Sequence, residues 1–457
     1  MKQTIIICLL FLSIFSRVSA QQDSILHLTQ PLPSNDAWWE LFGDPMLVTL
    51  IHKAMLRNYD LQNAVKNIEI ARSRVRLQQA AYFPALSIST QYEPEKSSLG
   101  IDHSDFYSHV GQAGVEMNWE IDVFGSIRNR VKTEKEYYLA SQEDYRGVMV
   151  SLASEVATAY IQLRTYQQQL EVAKRNLQSQ EEILQLNEAK SQAGLTSQLT
   201  VAQSRGLVLQ TKATLPGIEY SIYEQVNRIL VLIDEYTEPL RQTLLQTDTL
   251  PEVKEKGVYG IPAALIRRRP DVRSSERQMD ALAAAVGASR ADWWPKFYLN
   301  GAIGYGNEFY KQFFKKENLT WQISPSIKWT IFSGRQNVEN TRLARLQLDE
   351  GINTYNQTLL TALQEIDNAI VSYNKSLQQL SAIRQALNQF KLTLEYAMDL
   401  YNQGLTDYQT VLDSQRNVLN YENNLVNAHS ATLLYFIQLY RALGGGFQDE
   451  ISGAQNR

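Results

Sequence analysis

Residues that could bind a metal or catalyse a reaction are few in this chain, and they do not cluster. No histidine has Cys, Asp or Glu at metal-ligand spacing; the five are His27, His52, His103, His109 and His429. No pair of carboxylates and no nucleophile beside a base stands out either. The sequence therefore predicts no metal site, no cofactor and no enzyme activity.

Two further motifs invite a binding role but are better explained as helix ends. The GGGF string, Gly444–Phe447, follows a predicted helix and lacks the lysine and hydroxyl of a phosphate-binding loop, so we expect it to end that helix. Three arginines, Arg267 to Arg269, precede Pro270, which disfavours helix in the residue before it. Because cations suit the C-terminal end of a helix dipole, we expect these arginines to close a helix.

The composition excludes some partners. Charged residues make up 20% of the 457 residues and the net charge is −4, so no basic excess suggests a nucleic-acid partner. The 24 Tyr and 7 Trp are more informative, because rings with one polar end suit membrane interfaces as well as ordinary packing. Beyond the N-terminus, no apolar run approaches the ~18–20 residues of a membrane-spanning helix.

The N-terminus has the features of a secretory signal peptide, residues 1–20. Lys2 gives a charged start, Ile5–Phe15 is apolar, and Val18–Ala20 offers a cleavage site. Cys8 lies inside the apolar stretch rather than after it, so we predict no lipid anchor and a mature chain without cysteine. Residues 21–44 are expected to form an extended segment.

An internal duplication organises the rest of the chain. Three kinds of landmark recur in the same order: Gly194 and Gly404 of two Gly-Leu-Thr strings, Trp119 and Trp329, and Pro84 and Pro295. Their offsets are 210 (404 − 194), 210 (329 − 119) and 211 (295 − 84) residues. Such agreement indicates two tandem copies of one structural unit.

Each unit is predicted to contain the same parts in the same order. The first, residues 45–250, has a helix (Pro45–Ala81), strands at about 84–93 and 110–120, a long helix, a tip at 193–196 and a return helix broken at Pro216. The second, residues 251–447, has a helix (Pro262–Ala291), strands at about 295–306 and 321–332, a long helix, a tip at 403–406 and a return helix. Residues 448–457 form a tail.

The four strand segments alternate apolar and polar residues over about ten positions each. Leu86, Ile88 and Tyr92, for example, alternate with polar neighbours. The pattern fits a half-buried strand of a soluble sheet and also a transmembrane β-barrel strand. The export signal and the aromatic residues near the strand ends favour the membrane. These predicted interface aromatics are Tyr82, Tyr92, Trp119, Trp293, Trp294, Trp321 and Trp329.

The long helices carry a heptad seam. From Ile352 to Tyr401 every seventh residue is apolar, and the same seam recurs in the first copy from Met149 to Leu184. A helix from about Arg335 to Asn402 would be about 100 Å long at about 1.5 Å per residue, so the architecture must be elongated.

Each long helix is predicted to fold back at a tight tip. Gly194 and Gly404 can take the left-handed conformation that ends a helix. Thr196 and Thr406 can then cap the return helices, with Gln409 completing a capping box in the second copy.

The strands also predict an oligomer. Four strands per chain cannot close a barrel, because about eight is the practical minimum, and open edges are not tolerated in lipid. Two chains would give eight strands and three would give twelve, and arithmetic alone does not choose between them.

Three segments carry a resemblance to a known family. Trp38–Ala64, Ile261–Pro295 with its RRRPDV string, and Leu215–Ile233 resemble TolC-like outer-membrane efflux proteins, in the branch that serves resistance–nodulation–division pumps. The resemblance covers nearly all of the mature chain. It implies a mostly α fold with a membrane β-barrel: a homotrimer whose twelve strands form one barrel, continued by a long periplasmic α-helical barrel. Many members of this branch are lipoproteins, and this chain lacks the lipid box.

The resemblance also implies a function and partners. It implies passive export of small molecules through the outer membrane, coupled to a periplasmic adaptor and an inner-membrane resistance–nodulation–division pump, with outer-membrane lipid around the barrel. Two alternatives remain open: a duct for type I protein secretion, and a non-conducting periplasmic coiled coil. The RRRPDV string favours small-molecule efflux over protein secretion.

In the family, the helix hairpins form the periplasmic aperture and dock the adaptor. By resemblance the docking residues are Ala193, Gly194, Leu195, Thr196, Gln403, Gly404, Leu405 and Thr406. Asp413 aligns with an aperture aspartate, whose ring would attract cations, although an ordinary solvated helix face explains it too. Tyr401 aligns with a gate tyrosine, although heptad packing explains it equally well.

This chain departs from the family pattern at the gate. Thr410 and Thr406 stand where the family has a second aperture aspartate and a gate arginine, and Leu199 and Thr200 in the first copy cannot form the corresponding salt bridges. Any closed state must therefore be held differently. We expect the second hairpin to carry the gate and the first mainly to complete the docking ring.

Overall fold

The computed structural model describes residues 37–98, 105–253, 263–307 and 314–445. The predicted signal peptide, the predicted tail 448–457 and His103 lie outside these ranges. Within them the duplication predicted from sequence is evident, because a shorter helix, two strands, a long helix and a return helix occur twice at a nearly constant offset.

The first repeat contains α1 (Pro45–Arg57), α2 (Tyr59–Ala80), β1 (Ala85–Ser98), β2 (Asp105–Ile121), α3 (Ser126–Gln192), α4 (Gln198–Leu232) and α5 (Glu238–Leu245). The second contains α6 (Pro270–Ala291), β3 (Lys296–Asn307), β4 (Leu319–Lys328), α7 (Gln336–Asn402) and α8 (Tyr408–Ala442). Short 3₁₀ helices occupy Trp38–Phe42, Ala263–Arg268 and Lys316–Asn318. Helices α3 and α7 both have 67 residues, and α4 and α8 both have 35.

The strands form one antiparallel sheet in the order β1-β2-β3-β4. Its register separates two faces. Ile88, Val115, Ile303 and Trp321 lie in one cross-strand row. Ser87, Glu116, Ala302 and Gln322 lie in the neighbouring row on the opposite face. The sheet therefore has one apolar face and one polar face, as a membrane barrel strand pattern requires.

The helices form two four-helix layers that share α3 and α7. Near the sheet the neighbours run in the order α2-α3-α6-α7, and toward the tips they run in the order α4-α3-α8-α7. Each of the shared helices spans about 100 Å at about 1.5 Å per residue. The chain is thus an elongated slab with two lateral edges: β1, α2 and α4 form one edge, and β4 and α7 form the other.

A large hydrophobic core lies midway along the slab. For residues 37–44 it corrects the expectation that residues 21–44 are extended. Trp38–Phe42 forms a 3₁₀ helix whose aromatic side chains are buried. The ring of Trp38 stacks on Tyr440 at 5.6 Å, and Phe42 meets Phe436 at 5.5 Å. Burying these rings against α8 stabilises a local turn that no periodicity in the sequence predicts.

The opening helical segment of the first repeat is two helices rather than one. Asn58 ends α1 and caps α2, because its side-chain oxygen accepts from the backbone N–H groups of Asp60 and Leu61 at 2.9 and 3.3 Å. Its amide nitrogen also donates to the carbonyl of Leu232 at 2.9 Å, which fixes the bend against α4.

The predicted break at Pro216 is wrong. Helix α4 runs from Gln198 to Leu232 with Pro216 inside it. A proline in a helix removes one hydrogen bond to the preceding turn. Pro216 and Lys212 both lie on the exposed side of α4, where water can solvate the freed carbonyl.

The arginine cluster is divided between two elements. Arg267 and Arg268 lie in the last turn of a 3₁₀ helix, as predicted. Arg269 instead precedes α6 and is buried, where it contacts carboxylate oxygens of Asp271 and Glu365 at 2.7 Å and the carbonyl of Ala442 at 2.8 Å. Burial alone would raise the pKa of Asp271, but the hydrogen bonds and charge of Arg269 bring it below its usual value. Arg269 thus joins α6, α7 and α8.

The strand bounds differ modestly from those predicted. β1 and β2 extend further into their hairpin, to Ser98 and from Asp105, and β4 ends at Lys328, so Trp329 follows the strand instead of lying in it. None of the helices in the described ranges is long and apolar enough to cross a membrane.

The closest backbone approach in the sheet generates the first prediction. Gly114 and Gly304 pair across β2 and β3, and a Cβ on Gly304 would lie 2.5 Å from the carbonyl oxygen of Ala113. Since backbone atoms cannot move aside cheaply, Gly304→Ala should destabilise the folded sheet by about 1–3 kcal/mol. The temperature at which the heat-modifiable folded band disappears on gels should fall. Gly301→Ala is the matched control, because the nearest atom to its Cβ would be the flexible end of Met117 at 3.4 Å, and the backbone oxygen of Gln322 would lie at an ordinary contact distance of 3.7 Å. An equal effect of both variants would contradict the close-approach explanation.

Candidate functional site: the hairpin tips

Both helix hairpins end in the same backbone motif. Gly194 and Gly404 have φ of 75° and 74°. In each tip the glycine N–H donates to the carbonyl three residues back, and the following leucine N–H donates to the carbonyl five residues back, at 2.8 Å for Leu195 and 2.9 Å for Leu405. This is a Schellman ending. The predicted left-handed glycines are therefore confirmed.

The predicted caps are off by one residue. Ser197 and Asp407, not Thr196 and Thr406, cap the return helices, by accepting from the N–H groups of Thr200 at 3.3 Å and Thr410 at 3.1 Å. The Schellman ending places the leucine inside the turn, so the chain needs one more extended residue before the next helix begins. The capping box with Gln409 is absent from the described structure, since that side chain donates to Asp413 instead, at 3.1 Å.

The predicted docking residues are gathered at the outermost turn of each hairpin. Leu195 and Leu405 are 77% and 69% exposed, so each tip presents one apolar side chain. Ala193 and Gln403 are the C-cap residues between the helix ends and the glycines, and Thr196 and Thr406, which follow the leucines, are half-buried.

A hydrogen-bonded cluster joins the two hairpins within one chain. The hydroxyl of Tyr401 donates to the side-chain oxygen of Asn187 at 2.7 Å, and the amide of Asn187 donates to Ser204 at 2.7 Å. Tyr408 lies 5.7 Å from the ring of Tyr401, and the ammonium of Lys190 lies 4.0 Å from the same ring. We call Tyr401, Asn187 and Ser204 the hairpin clasp.

The clasp contains no ion pair between its members. Burial raises the pKa of Tyr401 above its usual value, and a hydrogen bond to Thr196 lowers it only in part, so the tyrosine stays neutral. Asn187 was not singled out from the sequence. Its only signal there is a polar residue near the end of a heptad helix, and its partner Tyr401 is 214 residues away.

The remaining predicted gate residues lie beside the clasp rather than in it. Asp413 is exposed, and its nearest cation is Arg416 at 3.9 Å. The hydroxyl of Thr406 donates a hydrogen bond to the hydroxyl of Thr410 at 3.1 Å. Gln203, the first-repeat equivalent of Asp413, donates to Gln409 at 3.3 Å. Within the described ranges, no three His, Cys, Asp or Glu side chains gather closely enough to hold a metal ion.

The predicted interface aromatics occupy two levels of the sheet. Tyr82, Trp119, Trp293, Trp294 and Trp329 lie where the strands meet the helices, and Tyr92 and Trp321 lie further out along β1 and β4. The same hydrogen bond occurs in both repeats. The indole N–H of Trp119 donates to the carbonyl of Tyr82 at 3.0 Å in the first, and the indole N–H of Trp329 donates to the carbonyl of Trp293 at 3.1 Å in the second.

An elongated helical slab, a sheet with one apolar face and paired hairpin tips define a class of protein: a channel-forming duct that crosses one membrane as strands. The family follows from the sequence comparison. The model of the outer membrane efflux protein family matches residues 50–233 and 261–445, once in each repeat. The chain belongs to this family, and it is an outer-membrane efflux channel protein rather than an enzyme.

Named relatives and solved structures agree. The chain is 33% identical over 415 residues to the solvent efflux pump outer membrane protein SrpC of Pseudomonas putida, covering 89% of this chain and 87% of the relative. It is 27% identical over 413 residues to the cation efflux system protein CusC of Escherichia coli K12, covering 90% and 89%. The outer-membrane channel OprN has a TM-score of 0.85 at 29% identity, covering 90% and 92%. A CusC structure has a TM-score of 0.84 at 25% identity, covering 92% and 98%. The predicted fold class and family are confirmed.

The clasp generates the second prediction. Tyr401→Phe and Asn187→Ala should each loosen the contact between the hairpins, because each removes the buried hydrogen bond between Tyr401 and Asn187, worth about 1 kcal/mol or more. Amide hydrogen exchange at the two tips should speed up by about fivefold or more. The double variant should exchange no faster than the faster single variant, since both remove the same bond. Tyr396→Phe, which changes an exposed tyrosine five residues earlier on α7, is the control and should leave the tips unchanged.

Proposed function

We propose that this chain is the outer-membrane component of a tripartite efflux pump, working as a homotrimer that passively exports small molecules. The observation that requires an oligomer is the pair of unpaired lateral edges, and the family resemblance implies that it has three copies. β1 and β4 have strand partners on one side only within the chain. Because open edges are not tolerated in lipid, a second copy must cover them.

The exposed apolar residues of the helices follow the same edges. On α7 they include Leu360, Val371, Leu392 and Tyr396. On α4, at the opposite edge, they include Leu209, Tyr220, Tyr223 and Val231. Since the two stripes lie on opposite sides of one slab, α7 of one copy can pack on α4 of the next. Repeating that contact around an axis produces a closed helical barrel below a closed β-barrel.

The duplication also predicts the register between copies. Ser87 pairs with Glu116 in the first repeat, and Tyr298 pairs with Ser326 at the equivalent position of the second. Equivalent residue numbers therefore differ by 211 between β1 and β3 (298 − 87) and by 210 between β2 and β4 (326 − 116). Within the chain, Glu116 of β2 pairs with Ala302 of β3. Applying the same offsets, Ser326 (116 + 210) of one copy should pair with Gln91 (302 − 211) of the next.

The third prediction tests this register and the oligomer together. In the mature chain, Gln91→Cys with Ser326→Cys should form a disulfide between copies under mild oxidation, because paired strand positions fall within disulfide reach. The products should be linked dimers and trimers on reducing-agent-free gels. Ser87→Cys with Ser326→Cys is the control, four residues out of register and about 13 Å away, and it should link poorly. Equal linking by both pairs would reject the register, and purely monomeric products would reject the closed trimer.

The named relatives support small molecules as cargo. The name of SrpC describes a solvent efflux pump, and that of CusC describes a cation efflux system. Both proteins are similar to this chain over most of its length. One duct architecture therefore accompanies different cargo, which fits a passive channel whose partner pump selects the substrate. Both relatives are named as efflux components, which favours efflux over type I protein secretion. The partners that complete the proposal are a periplasmic adaptor, docking at the tips, and an inner-membrane resistance–nodulation–division pump.

The tips are the proposed gate of this channel. The clasp holds the two hairpins of one chain together without charges, in the place of the salt bridges that the family pattern would supply. Asp413 is exposed beside it, so three copies would present three carboxylates around the aperture. Carboxylate rings attract cations and repel anions.

The fourth prediction concerns that ring. Asp413→Ala should weaken block by divalent cations or raise the closed-state conductance of trimers in planar bilayers, by about twofold or more, since three negative charges are lost. Gln203→Asp should strengthen the block, because it adds carboxylates at the equivalent position of the first repeat. Asp399→Asn removes an exposed charge from α7, on the other helix of the same hairpin, and should change neither property. If Asp413→Ala behaves like Asp399→Asn, Asp413 belongs to an ordinary solvated helix face.

A further inference from the structure

A cavity of about 410 Å³ lies where the sheet of the second repeat meets its helices. It is lined by Arg290, Trp293, Trp294, Trp329, Thr341 and Arg345. Three chain segments thus meet there: the end of α6, the residue after β4 and the first turns of α7. Nothing in the efflux function described above uses this group of side chains.

The tryptophans place the cavity at the border of the apolar face of the sheet. Ile327 lies on that face, and Trp329 continues the alternation two residues later. Trp293, Trp294 and Trp329 are 45%, 55% and 56% exposed, although indole rings of this size are usually more buried. Exposed tryptophans at strand ends are typical of the boundary between lipid tails and headgroups.

The two arginines differ from the cations around them. Arg128, Arg130 and Lys296, at the same level of the chain, each contact an aspartate, at 3.3, 3.2 and 3.2 Å. In the part of the chain that the structure describes, the guanidinium groups of Arg290 and Arg345 contact no carboxylate. Arg290 lies in the last turn of α6, where the helix dipole stabilises a cation without a carboxylate partner.

We propose that this cavity binds the phosphate headgroup of a phospholipid in the periplasmic leaflet of the outer membrane, with Arg290 and Arg345 donating to the phosphate and the tryptophans contacting the lipid around it. Guanidinium groups suit phosphate because their paired N–H donors match its oxygens. Indole rings suit the glycerol and upper acyl carbons. The assignment rests on the proposed placement of the sheet in the membrane.

The first repeat provides an internal comparison. The equivalents of Arg290, Trp293 and Trp294 are Gln79 (290 − 211), Tyr82 (293 − 211) and Phe83 (294 − 211). The equivalent of Arg345 is Lys135 (345 − 210). The first repeat therefore lacks both guanidinium groups and two of the three indoles. One headgroup site per chain follows, and a trimer would hold three lipids.

The fifth prediction tests the site with purified full-length trimers and native mass spectrometry. The probe is dioleoylphosphatidylglycerol, and dioleoylglycerol, which has the same chains and no phosphate, is its counterpart. The double variant Arg290→Gln/Arg345→Gln should bind the phospholipid at least about tenfold more weakly than the wild type, because two charge-assisted bonds are lost. Dioleoylglycerol should bind both proteins weakly and equally.

A matched variant controls for charge. Arg335→Gln/Arg342→Gln removes two arginines at the start of α7, its N-cap residue and one in its second turn, both of which lie near Glu339, and it should retain the phospholipid. Equal retention by all three proteins, or equal loss in the control, would overturn the site. Displacement of the lipid by millimolar inorganic phosphate would also overturn it, in favour of a free-phosphate site. Conductance in planar bilayers should be the same for all three proteins. A well-folded trimer that carries no current would reject the proposed channel function. The number of lipids bound per trimer could still be measured, so the two proposals can fail separately.

Discussion

The structure of this chain depends on unpaired edges. A sheet of four strands leaves backbone donors and acceptors open along β1 and β4, and in lipid no water can satisfy them. The helices agree with that constraint. Helices α4 and α7 carry exposed apolar stripes on the same lateral sides as β1 and β4, so the surfaces that need a second copy are continuous from sheet to tip. A chain built this way is a segment of a closed wall.

The duplication explains how one short unit can make such a wall, and the differences between the repeats coincide with the proposed gate and the proposed lipid site. The repeats agree in helix lengths, in sheet register and in the Schellman endings of their tips. These shared features are those that any two neighbouring units must have in order to pack. They differ at the clasp, at the Asp413 position and at the cavity lined by Arg290. Because backbone architecture needs only quasi-equivalent units, side chains in one repeat are free to acquire a separate role.

Patterns that repeat along the sequence predicted most of the fold, and contacts between distant segments account for what they missed. Period-two alternation found the four strands, heptads found α3 and α7, and glycine found both tips. The 3₁₀ helix at Trp38–Phe42 was missed because its rings are held by α8, almost 400 residues later (436 − 42 = 394). The caps were misplaced because the Schellman turn uses one more residue than the glycine alone suggests. At the candidate site, Tyr401 could be named from sequence, whereas Asn187 could not, since only the tertiary arrangement selects that asparagine from the many polar residues of α3.

The clasp has a consequence for which junction in the proposed barrel is weakest. The equivalents of Tyr401 and Asn187 at the junction between copies are Ser191 (401 − 210) and Ala397 (187 + 210), and neither can reproduce the bond, because alanine accepts nothing and the serine side chain is too short to replace a tyrosine. The two hairpins of one chain are therefore tied by buried polar contacts that the junction between chains lacks at this level. The clasp is also uncharged, so salt screening weakens it less than it would weaken an exposed ion pair. Opening of the tips should thus begin between chains, with each pair of hairpins moving as one body. This proposal differs from the sequence-based expectation that the second hairpin carries the gate and the first mainly completes the docking ring.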